Sequence, residues 1–101
     1  MLTEFEQRIL GLLSMIPAGQ VTTYAELAQA AGRPKAARAV GNALNKNSDA
    51  PNVPCHRVVK SNGQIGGYVR GIAQKVKYLA NEGVIITNGK VVDFKRIVYK
   101  F

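Results

Sequence analysis

The sequence predicts a mainly α-helical domain with small β-hairpins, a winged-helix-like fold containing a helix-turn-helix. Three observations predict it. Apolar residues recur at helical spacing behind two capping boxes, a glycine separates two short helices, and an Asn-Gly dipeptide lies between two β-branched runs. At 101 residues, the chain is read as one domain over residues 1–101, with no separate N-terminal domain.

Taking the elements in order, Thr3-x-x-Glu6 has the form of a capping box, and Phe5, Ile9, Leu12, Leu13 and Ile16 follow at helical spacing. The first helix is expected over residues 3–16, ended by Pro17-Ala18-Gly19. A second box, Thr23-Tyr24-Ala25-Glu26, opens a short helix that stops at Gly32. Pro34 suits a first helical turn, so a third helix is expected over residues 34–45. The second and third helices form the helix-turn-helix candidate. Ala36, Val40 and Leu44 make an apolar stripe on the third helix, and Lys35, Arg38, Asn42 and Asn45 a polar one. Ala37, Ala39 and Gly41 are small enough to let that backbone approach a groove closely. The alternative is an ordinary amphipathic helix with a solvated face.

Residues 45–54 are polar, punctuated by prolines and without a period, which is the pattern of a loop. Arg57-Val58-Val59-Lys60 reads as a strand, Ser61-Asn62-Gly63 as a turn and Gln64-Ile65 as the returning strand. The glycine-rich run from Gly66 to Gly71 lacks the spacing of a dinucleotide fingerprint and reads as a pocket wall. A fourth helix starts at Ile72 and ends at Gly83, with Ile72, Val76 and Leu79 inward and Lys75, Lys77 and Asn81 outward. Glu82 falls in its last turn, where the helix dipole disfavours a carboxylate by about 0.3–1 kcal/mol. The run from Val84 to Val92 is a hairpin turning at Asn88-Gly89.

Fourteen Lys and Arg against six Asp and Glu give a formal charge of +8. Such a surface attracts anions, nucleic acid foremost. A single cysteine closes no internal disulfide, and no set of zinc ligands is spaced along the chain, so neither a metal nor an organic cofactor is expected. The opening residues Met1-Leu2-Thr3-Glu4-Phe5-Glu6 lack the basic region and apolar core of a signal peptide, and no apolar stretch spans a bilayer. A cytoplasmic monomer without membrane contact is expected.

The only cysteine and the only histidine are neighbours in Pro54-Cys55-His56-Arg57-Val58-Val59. A thiol reacts as thiolate, and an ordinary one is only a few per cent ionised at neutral pH, so a nucleophilic role needs a base. His56 is adjacent, yet neighbours on an extended strand point to opposite faces, so a direct bond is not assured and a bridging water is the alternative. Glu82 is the candidate acid to orient the imidazole. A buried, inert Cys55, a structural His56 and a Glu82 that is merely an exposed helix end are the competing readings.

Val21-Thr22-Thr23-Tyr24, Ala37-Arg38-Ala39-Val40-Gly41, Pro54-Cys55-His56-Arg57-Val58, Gly66-x-Tyr68-x-x-Gly71, Lys75 and Glu82-Gly83 occur in that order. Together they closely resemble the O6-alkylguanine-DNA alkyltransferases. The resemblance implies that Cys55 accepts an alkyl group irreversibly from guanine O6, that His56 takes the thiol proton through water, and that Glu82 orients His56. It implies that Tyr24 rotates the backbone phosphate and donates toward guanine, that Asn47 braces the active-site loop, and that Arg38 fills the hole left by a flipped base. Thr22, Thr23, Tyr24, Lys35, Ala37, Arg38, Gly41 and Asn45 would contact the minor groove of double-stranded DNA. Val58, Tyr68 and Val69 would line the pocket, with Lys75 nearby.

The short length and hairpin tail also resemble the alkyltransferase-like proteins, which bind the same lesions, commonly carry tryptophan or alanine in place of the cysteine, and signal to other repair proteins. Arg70 stands where the alkyltransferases often have a small residue, and Val69 where a hydroxyl residue is common.

Overall fold

The capping box at the first helix is formed, with Thr3 Oγ1 accepting from Glu6 N at 3.1 Å and Glu6 Oε1 accepting from Thr3 N at 2.9 Å. It opens α1, Glu4–Leu13, in the computed structural model of the chain, which describes residues 2–101. The helix ends short of residue 16. Met15 N and Ile16 N turn back to Leu12 O and Leu13 O, and Pro17 biases the residue before it out of helical geometry.

Thr22–Thr23 forms β1 and Tyr24–Ala30 forms α2. Thr23 caps α2 by accepting from Glu26 N at 3.0 Å. Gly32, at φ +85, takes the left-handed turn that leads toward α3, Ala37–Asn45. This third helix starts later than Pro34. Ala36 N donates to Arg33 O at 2.9 Å in a separate turn, and Ala36 itself supplies no side-chain cap.

After the loop comes a 3-10 turn, Cys55–Arg57, and then β2, Val58–Val59. β2 pairs in parallel with β1, Thr22 against Val58 and Thr23 against Val59. The hairpin expected over residues 57–65 is thus replaced. Gly63 N and Lys60 N close a tight turn there, but Gln64 bridges to Lys90 instead. Burial explains the choice, because Val58 and Val59 are both fully buried on opposite faces of the strand. Val58 joins a core of Ile9, Leu13, Leu27, Val40 and Leu44. Val59 joins a second core of Val21, Ile65, Leu79, Val84, Val91 and Ile97. The short parallel ladder therefore separates two apolar halves, in which each fully buried aliphatic side chain contributes about 1.5–3 kcal/mol.

α4 spans Ile72–Asn81, and here the expected faces are partly reversed. Lys75 is fully buried whereas Ile72 is exposed. The Lys75 ammonium donates to Val58 O at 2.6 Å, to Gly67 O at 2.9 Å and to Ile65 O. Three backbone acceptors match the three N–H donors of a lysine, which makes its burial tolerable.

β3, Ile86–Thr87, and β4, Lys90–Val91, form the expected hairpin. Asn88 and Gly89 have φ of 53 and 75 in its turn, as a type I′ connection requires. A four-residue helix, α5, Phe94–Ile97, then follows. It is too short to show a period in the sequence. The tail is fastened to the strand before α2 by Val21 N to Ile97 O at 3.1 Å and Tyr99 N to Val21 O at 2.6 Å. No helix among the described residues is long and apolar enough to cross a membrane.

Candidate active site

Cys55 and His56 lie on the 3-10 turn, not on an extended strand. Successive side chains on such a turn diverge by about 120°, so the pair still faces different surroundings. Cys55 is 3 % exposed and opens onto a pocket of about 230 Å³. Its lining comes from the start of α2 (Tyr24), α3 (Gly41, Leu44, Asn45) and the glycine-rich loop (Gly67, Tyr68, Val69). That volume falls below the several hundred Å³ typical of sites for larger organic ligands. It suits one planar ring system.

The loop before Cys55 is organised by Asn47. Its Nδ2 donates to Val53 O at 2.8 Å and to Cys55 Sγ at 3.2 Å, while its Oδ1 accepts from Asp49 N at 3.0 Å. One buried amide thus fixes the loop's curvature and directs a donor at the sulfur.

On the other side of the turn, His56 Nε2 lies 2.8 Å from Glu82 Oε2. Glu82 is the C-cap of α4. Burial opposes its charge, but hydrogen bonds from Arg57 and His56 more than reverse this and hold the carboxyl below its usual range. Glu82 is therefore the acceptor and His56 Nε2 the donor. Burial also lowers the His56 pKa, despite the opposing effect of Glu82, which keeps the imidazole neutral near physiological pH. Its Nδ1 then carries a lone pair, and that atom is buried with no protein partner among the described residues. The His56 ring packs 5.1 Å from Tyr78 and edge-on to Tyr68 at 6.4 Å.

Both pocket phenols stay protonated. Burial, with the Cys55 sulfur nearby, pushes Tyr24 up from its ordinary value and Tyr68 up to about 12. Behind the pocket wall, burial lowers Lys75 to about 8, which leaves the ammonium mostly charged at neutral pH. Lys75 ties Gly67, which lines the pocket, to the strand that follows Cys55.

The remaining expected site residues divide clearly. Lys35, Ala37, Arg38 and Asn45 are exposed, and Gly41 is partly so; Arg38 has no ion-pair or hydrogen-bond partner among the described residues. Two assignments need correction. Val58 does not line the pocket, because the parallel ladder turns its side chain into the core. Thr22 and Thr23 do not offer their hydroxyls to a groove. Thr22 is fully buried and bonds Tyr99 O at 3.1 Å, and Thr23 is consumed as the α2 cap.

Arg57 is a site residue that sequence reasoning misses. Its Nε and Nη2 meet Glu82 Oε1 and Oε2 at 3.0 and 2.7 Å, and its Nη1 donates to Ile16 O at 2.6 Å. A signal for it exists: an arginine one residue from His56, and a carboxylate placed against its own helix dipole. Among the described residues, no group of three or more His, Cys, Asp or Glu side chains gathers to hold a metal ion.

A family model described as "6-O-methylguanine DNA methyltransferase, DNA binding domain" matches residues 4–84. The "Bifunctional methyltransferase/endonuclease" of Picrophilus torridus is 50% identical over 90 residues, covering 89% of this chain and 29% of the relative. The "Methylated-DNA--protein-cysteine methyltransferase" of Methanosarcina acetivorans is 47% identical over 81 residues, covering 80% of this chain and 52% of the relative. The chain thus spans about half or less of these relatives. S. pombe Atl1, solved with damaged DNA containing O6-carboxymethylguanine, superposes with a TM-score of 0.84 at 32% identity, covering 100% of both chains.

Proposed function

Because the chain belongs to the 6-O-methylguanine DNA methyltransferase DNA-binding family, we propose that it draws an O6-alkylated guanine out of duplex DNA and transfers the alkyl group irreversibly to Cys55. The observation that carries this reading is the position of Cys55 Sγ. It receives the Asn47 amide, shares a 3-10 turn with His56, which pairs with Glu82, and opens onto a pocket sized for one base.

A base inside a duplex cannot reach a buried thiol, so it must be flipped, at a cost of a few kcal/mol in lost stacking. Arg38, exposed and unpartnered on α3, fills the vacated stack from the minor groove. Neutral His56 accepts the thiol proton at Nδ1 through one water. Sγ attacks the alkyl carbon, the O6–carbon bond breaks, and its electron pair goes to guanine. Guanine takes a proton from Tyr24, and the proton held on His56 restores the phenol by way of solvent. The carbon–sulfur bond is stable, so each molecule acts once.

Intact-protein mass spectrometry after mixing with an O6-methylguanine duplex tests the reading. One methyl gained on the peptide containing Cys55 is expected. A second reading, lesion binding without transfer, is favoured by the end-to-end match to S. pombe Atl1, and it predicts tight binding to that duplex with no change in protein mass.

A further inference from the structure

The family match stops at residue 84, and residues 85–101 beyond it hold four cations, Lys90, Lys95, Arg96 and Lys100, against one carboxylate, Asp93. This tail is firmly seated. Val91 and Ile97 are buried in the second core, and Ile97 and Tyr99 bond the backbone of Val21, three residues before Tyr24. The tail's position is therefore set by the strand that leads into the pocket.

Between the tail and the first turn of α2 lies a groove of about 410 Å³, bordered by Thr23, Glu26, Ser61, Lys95 and Lys100. Lys60 precedes Ser61 in the chain. A Cβ placed on Gly66 would meet Tyr24 Oη at 3.5 Å and Lys60 Cγ at 3.6 Å, so Lys60 and the Tyr24 hydroxyl both border Gly66. Lys60, Lys95 and Lys100 are exposed, and none pairs with a carboxylate among the described residues. Arg96, on the same short helix, does pair with Asp93 at 3.2 Å. Glu26 is the only carboxylate on the groove among the described residues. Uncompensated ammonium groups on the groove and beside Gly66 are complementary to a polyanion.

We propose that the tail is a second DNA-contacting element. Lys95, Lys100 and the Ser61 hydroxyl hold the phosphodiester backbone along this groove, with Lys60 joining them to Tyr24. The footprint on duplex thus extends beyond the recognition helix. This rests on the proposed reading of Tyr24 and its pocket as the lesion site. Phosphate contacts position the protein without reading bases, so the track adds affinity for any duplex and leaves the preference for alkylated guanine unchanged.

The test is fluorescence-anisotropy binding of the full chain to an O6-methylguanine duplex and its unmodified counterpart across a salt series. Wild type is compared with the double variant Lys95→Gln/Lys100→Gln and with Arg8→Gln on α1. The slope of log affinity against log salt is expected to fall by about 0.9 for each phosphate that is no longer neutralised, hence by nearly two in the double variant and not in Arg8→Gln. The ratio between the two duplexes should stay unchanged. An unaltered slope and affinity in a double variant that still prefers alkylated duplex overturns the phosphate track alone. A wild-type protein that binds both duplexes equally overturns the lesion-site reading instead.

Discussion

Arg57 grips Glu82 with two hydrogen bonds, Nε to Oε1 at 3.0 Å and Nη2 to Oε2 at 2.7 Å. The same carboxylate receives His56, and the same guanidinium caps the carbonyl of Ile16 just beyond α1. Glu82 sits where a helix dipole opposes a negative charge, and Arg57 supplies the compensating positive one. The forked geometry matters as much as the charge, because two parallel bonds fix the plane of the carboxylate and hence the direction of the imidazole.

Arg57→Lys retains the charge and loses the fork. It is expected to slow single-turnover transfer about tenfold, as loss of an orienting partner does, while lowering stability by about 1 kcal/mol. Arg57→Ala should cost about 2 kcal/mol, because it leaves Glu82 and Ile16 O short of partners. Quench-flow transfer rates and urea unfolding measure the two separately. A Lys variant that transfers at the wild-type rate would show that the fork has no orienting role.

The pH dependence of stability follows from the same cluster. The His56 pKa is lowered below 6.5 by burial, so as pH falls past 6.5 the unfolded chain binds a proton that the folded chain resists. Stability falls with it. Glu82 acts in the same direction further down. Its carboxyl lies below 4.5, so its contribution is present above 4.5 and is lost as pH drops through the folded value. Unfolding free energy should therefore decline in two stages below neutrality. In Glu82→Gln the lower stage should shrink, and equal slopes below pH 4.5 in both proteins would contradict this assignment.

Much of this organisation is legible in the sequence, for local reasons. The capping box at Thr3, the Thr23 cap and the Asn88-Gly89 turn encode their geometry in neighbouring residues, and all three form, although the Glu26 side chain does not return to Thr23 N to complete a second box. The parallel pairing of Thr22–Thr23 with Val58–Val59 joins segments far apart in the chain. No local pattern announces it, so sequence reasoning pairs the strand at Val58 with its nearest neighbour. Charge alone assigns Lys75 outward, because the three carbonyls that accept it come together only in the folded chain. For the site, the motif places Cys55, His56, Asn47 and Glu82 together, but proximity to Cys55 draws Val58 into the pocket without regard to the face it occupies.

Lys75→Met separates packing from hydrogen bonding. The methionine chain fills similar space but leaves Val58 O, Ile65 O and Gly67 O without their donor. Each unpaired buried acceptor costs about 1–3 kcal/mol, so a total loss of about 3 kcal/mol or more is expected in urea unfolding. Gly67 should also loosen at the pocket wall, weakening lesion binding. Unfolding within about 1 kcal/mol of wild type would mean that the carbonyls find other partners.

Cys55→Ala and Tyr24→Phe distinguish the groups assigned to the reaction from those that hold the pocket. The alanine variant is expected to give no alkylated protein while binding O6-methylguanine duplex with affinity close to wild type, since the pocket walls and the recognition helix are untouched. Tyr24→Phe removes one hydroxyl from the pocket and leaves its ring in place. Burial and the nearby sulfur keep that hydroxyl protonated, so its loss removes a donor and no charge. Deleting one donor aimed at developing negative charge typically costs about 10²–10³ in rate, and a fall of about a hundredfold in transfer, with little change in duplex affinity, is expected. A transfer rate equal to wild type would take the proton donation away from Tyr24 and leave it a pocket wall.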